Sequence, residues 1–113
     1  MADDTFVGFV RAVMLGREGL HREVLLDTAE VYRQIDRPKR ALATLAILEE
    51  TYGPNQVPAN VLALEGLAQE SLGRQSDAAA SYRAAVAKGD APPQAAARLA
   101  ALEEATATEA LRR

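Results

Sequence analysis

The sequence predicts an all-α protein, and three observations support this prediction. Apolar residues recur at intervals of three and four, which is the period of an amphipathic helix. No segment alternates apolar and polar residues as a β-strand does, and the hairpin dipeptides Asn-Gly and Asp-Gly do not occur. Alanine, the strongest helix former, accounts for 24 of the 113 residues.

Glycines and prolines set the order of the predicted helices. A first helix includes Phe6 to Met14, with Gly8 and Ala12 as its small positions, and a second runs from about Leu20 to Ile35. Pro38 suits the first turn of a third helix, because proline has no amide hydrogen to lose there. This helix ends at Gly53-Pro54.

Three more helices follow in the second half. The fourth runs from about Pro58 to Leu72 and ends at Gly73. The fifth has Ser76 or Asp77 near its cap and ends at Gly89. The last begins at Pro92-Pro93 and runs to about Glu104, and we expect residues 107–113 to be a frayed tail.

Composition restricts the classes of function. The chain is 49% hydrophobic and 26% charged, which is the balance of one globular domain, and it has no cysteine for a disulfide or a thiolate metal site. A net charge of −3 on a mixed surface argues against binding nucleic acid or an anionic membrane. No segment approaches the ~18 apolar residues of a membrane helix, and the acidic N-terminus is unlike a signal peptide. The sequence therefore predicts a cytoplasmic protein without membrane insertion, metal or cofactor.

The helices between Leu20 and Pro92 form two similar helix-turn-helix units. The second unit carries small and large residues in a set order, namely Leu62, Gly66, Gly73, Ala78, Tyr82 and Ala85. In this order it resembles the tetratricopeptide repeat (TPR), a helical hairpin of about 34 residues. The first unit repeats the scheme with Leu25, Ala29, Tyr32, Ala41, Leu45 and Leu48.

The two units also depart from the family pattern. Asp36 stands in place of the turn glycine, and Gln69 in place of the usual tyrosine. Ala41 and Ala78 are 37 residues apart, so we place about three extra residues in the loop around Gln56. A glycine inside a helix costs about 1 kcal/mol relative to alanine. Gly66 therefore needs a packing reason, and close contact between two helices supplies one.

The resemblance implies a right-handed superhelical solenoid within a single domain over residues 1–106. It would contain repeats at about 20–54 and 59–92, the N-terminal helix, and a C-terminal capping helix at about 92–104. In this family the first helix of each repeat lines a concave groove that takes up a peptide or a partner helix. The corresponding groove residues here are Glu23, Leu26, Glu30, Arg33, Asn60, Ala63, Leu67, Glu70, Ala97 and Ala101.

The centre of this predicted groove is apolar, which suits the nonpolar face of an amphipathic helix. The alternative is that the chain's own first helix covers these residues. TPR co-chaperones clamp a terminal carboxylate with lysine and asparagine, and Asn60 alone remains of such a clamp. We therefore do not expect an acidic C-terminal tail as the ligand.

Signs of catalysis are weak. His21 has Glu18 and Asp27 in sequence reach, but no nucleophile elbow, phosphate loop or metal motif accompanies it. We interpret His21 as a solvated or capping residue and predict no catalytic residue and no enzyme.

The sequence favours a non-enzymatic module that binds a segment of another protein, as an adaptor or a small chaperone. Its architecture alone resembles the small bacterial TPR chaperones of type III secretion. A second hypothesis is a TPR scaffold that associates with itself to build a larger complex. A third hypothesis, an enzyme, rests only on His21 and scattered carboxylates. An alternative within the binding class is that these residues are one interaction domain of a longer protein.

Overall fold

A computed structural model of the chain describes residues 18–112. The predicted helix over Phe6 to Met14 lies outside the described residues. Over residues 18–112 the structure has five α-helices and no strand, which confirms the all-α prediction for this range. The helices are α1 (Glu18–Gln34), α2 (Pro38–Glu49), α3 (Ala59–Ser71), α4 (Gln75–Ala87) and α5 (Pro93–Arg112).

The chain divides into two compact units between Val57 and Pro58. In the first unit α1 packs against α2. In the second, α4 packs against both α3 and α5. The predicted single domain, and its arrangement as a superhelical stack, stay predictions.

Two helices end at other residues than predicted, and one of them, α2, already ends at Glu49, before Gly53-Pro54. The N-cap of α4 is Arg74, which makes no capping hydrogen bond with its side chain, and Ser76 and Asp77, which were expected near the cap, lie in the first turn. Helix α5 continues to Arg112, well past the predicted end at Glu104. Beyond Pro93 the sequence is rich in alanine and contains no glycine or proline that would stop the helix.

The turn between the two helices of each hairpin has the same geometry in both units. Asp36 and Gly73, which are 37 residues apart, have positive φ angles of 61° and 75°. The amide of Arg37 donates to the Tyr32 carbonyl oxygen at 2.7 Å, and the amide of Arg74 donates to that of Gln69 at 2.9 Å. This is the Schellman arrangement, in which a left-handed residue ends a helix. Both hairpins therefore close in the same way although their turn residues differ.

In the first unit, side-chain contacts also join the start of α1 to the residues just after α2. The Arg22 guanidinium donates to Thr51 Oγ1 at 2.9 Å and to the Thr51 carbonyl oxygen, and it lies 4.1 Å from the centre of the Tyr52 ring. Arg22 lies near the start of α1 and Thr51 just after the end of α2. Hydrogen bonds and a cation–π contact thus join the two ends that lie opposite the turn.

The core of the second unit contains the closest contact between its helices. An added Cβ at Gly66 would lie 2.6 Å from Cε1 of Tyr82 and 2.8 Å from Cδ1. Glycine therefore lets the aromatic ring of α4 lie directly on the backbone of α3. This contact is the packing reason that Gly66 was expected to have. The ring is fully buried, among Ala59, Ala63, Ala78, Ala85, Ala95 and Leu102.

The predicted packing residues are mostly interior. Tyr32 and Leu62 are half-buried, and Gly73 is exposed in its turn. The buried ones are Leu25, Ala29, Ala41, Leu45, Leu48, Gly66, Ala78, Tyr82 and Ala85.

We predict that Gly66→Ala lowers the free energy of unfolding by about 1–3 kcal/mol, the usual cost of overpacking. In the Tyr82→Leu background the same substitution should instead be neutral or stabilising by up to about 1 kcal/mol, because only helix propensity remains. Urea titrations of the four proteins give the coupling energy between the two positions. A Gly66→Ala variant more stable than the wild type would contradict the contact.

Gly73→Ala should cost about 1 kcal/mol, because alanine is strained at positive φ and no side-chain contact within 4 Å offsets the strain. Asp36→Gly, at the equivalent turn, should stay within about 0.5 kcal/mol of the wild type, since glycine relieves the strain but loosens the unfolded chain. Thermal and urea unfolding check both variants. If Asp36→Gly destabilised the protein as much as Gly73→Ala does, the two turns would not share the same strained left-handed conformation.

Candidate functional site

The predicted groove residues of the first unit are partly accessible. Glu23 is exposed and Leu26 is half-buried. Glu30 forms an ion pair with Arg33, with 2.7 Å between Oε1 and Nη2, one helical turn further along α1. The hydrogen bond from Arg33 is the main reason that the pKa of Glu30 lies below its usual value, and a hydrogen bond from Gln34 adds to it.

The predicted groove residues of the second unit have different environments. Asn60, Ala97 and Ala101 are exposed, and Leu67 is half-buried against the core. Ala63 is only 7% exposed and is a member of the core, so it does not provide open groove surface. The reason is its position one turn before Gly66, on the side of α3 that packs against α4. A groove that includes residues of both units stays a prediction.

Glu70 joins the three helices of the second unit. Arg98 of α5 binds its carboxylate with two N–H groups, Nε to Oε2 at 3.0 Å and Nη2 to Oε1 at 2.5 Å. The Tyr82 hydroxyl of α4 donates to Oε2 of Glu70 at 2.5 Å. Such a two-point contact fixes both the distance and the orientation of the charged groups. One carboxylate on α3 therefore holds α4 and α5 in place.

Glu70 and Arg98 are stabilised in their ionised forms, and Tyr82 is stabilised in its neutral form. Hydrogen bonds from Arg98 hold the pKa of Glu70 below its usual value, against the opposing effect of burial, and the hydrogen bond from Tyr82 adds to the lowering. Burial, and then the contact with Glu70, raise the pKa of Tyr82 far above its usual range. Glu70 is thus a fixed anion and Tyr82 a fixed hydrogen-bond donor. This arrangement favours structural support over proton transfer.

A second polar contact joins α3 and α4. The buried Ser81 hydroxyl lies 2.7 Å from Oε1 of Gln69 and 3.0 Å from Oε1 of Glu65. Gln69, which departs from the family pattern, therefore supplies an acceptor for a buried polar group on the neighbouring helix.

His21 is buried, with 3% of its surface exposed, so its interpretation as a solvated residue is wrong. Neither ring nitrogen has a hydrogen-bond partner within the described range. His21, Leu25 and Ala29 follow one another at intervals of four, which places them on one face of α1. This spacing was the signal in the sequence for its burial.

Arg98 is not recognisable from the sequence as a partner of Glu70. It is 28 residues from Glu70, and no local pattern relates the two. The hydrogen bond of the Tyr82 hydroxyl was likewise not predicted, since the sequence indicated Tyr82 only as a packing residue of the repeat.

In comparisons with known proteins, no protein-family model, no curated protein and no solved structure matches this chain. Within residues 18–112, no helix has the length and apolar character needed to cross a membrane.

We predict that the stability of the protein falls as the pH drops from about 4.3, the ordinary pKa of glutamate, through the lower folded pKa of Glu70. A depressed carboxyl pKa stabilises the folded state above that range, and protonation removes the contribution. Glu70→Gln should flatten this part of the profile of unfolding free energy against pH.

Glu30→Gln is the matched control. The pKa of the Glu30 carboxyl is also lowered in the wild type. The Glu30 side chain is 38% exposed, against 18% for Glu70, so water screens its ion pair with Arg33 more effectively. Equal flattening by the two variants would contradict the larger role of Glu70.

Proposed function

We propose that this chain is a TPR-like, non-enzymatic module that binds a helical segment of another protein, as an adaptor or small chaperone of the cytoplasm. The observation that supports it best is the repeated hairpin. Two units 37 residues apart close with the same left-handed turn and the same hydrogen bonds. Repeats of one supersecondary unit are typical of proteins that bind along an extended surface.

The second unit adds a further point in favour. Arg98 and Glu70 connect α5 to α3, and these are the helices on which the predicted groove residues of this unit lie. Ala97, next to Arg98, and Ala101, one turn later, are both exposed. Small exposed residues on a fixed helix leave room for the side chains of a partner helix.

The test uses the full chain as bait in an extract of its native cells, with bound proteins identified by mass spectrometry. We expect Ala97→Glu/Ala101→Glu to reduce recovery of a stoichiometric partner by about tenfold or more, since it places two charges against the apolar face of the partner. The matched control is Ala80→Glu/Ala84→Glu, which has the same spacing on exposed positions of α4. It should retain the partner.

Circular dichroism must first show equal helix content in both double variants. A synthetic peptide that contains the partner's helix should then bind the wild type with one-to-one stoichiometry in calorimetry. Equal recovery with both double variants, or no stoichiometric partner for the wild type, would contradict the proposed function.

A further inference from the structure

We draw no further inference here: the strongest candidate, the exposed apolar row of Val24 and Val31 on α1, is a surface patch, and nothing in the structure of residues 18–112 shows what covers it.

Discussion

Gly66 and Tyr82 lie so close together that a Cβ atom at position 66 would overlap the tyrosine ring unless the ring moved. Because α3 has no Cβ there, the tyrosine ring lies against the helix backbone and fills the space at the centre of the second unit. The depth of the ring also brings its hydroxyl within hydrogen-bond distance of Glu70, and Arg98 of α5 binds the same carboxylate. One missing methyl group thus determines both the apolar core and the polar contacts around it.

The first unit has a different pair at the equivalent positions. Ala29 and Leu45 stand 37 residues before Gly66 and Tyr82, and both are fully buried. A larger residue on the first helix accompanies a smaller one on the second, which conserves the total volume that the two side chains occupy. The turns show the same tolerance, since Asp36 takes the left-handed conformation that Gly73 takes in the other hairpin. Asparagine and aspartate are the residues that accept this conformation best after glycine.

The sequence was informative where local chemistry decides the structure. Periodicity and the positions of glycine and proline predicted α1 to α4, and the cost of a glycine within a helix predicted the close contact at Gly66. Three features could not be predicted in this way. Arg98 and Glu70 meet only after folding, the end of α5 has no stop signal, and Arg74 begins α4 without a side-chain cap. Ala63 was placed in the groove because position in a repeat does not reveal how deeply a small residue is buried.

Nuclear magnetic resonance of the wild-type protein tests the central contact most directly. If the Tyr82 ring covers Gly66, the two Hα protons of Gly66 shift strongly upfield through the ring current and show nuclear Overhauser effects to the Tyr82 Hδ and Hε protons. Ordinary glycine shifts without those effects would mean that α3 and α4 do not approach closely, and the packing of the second unit described above would be wrong.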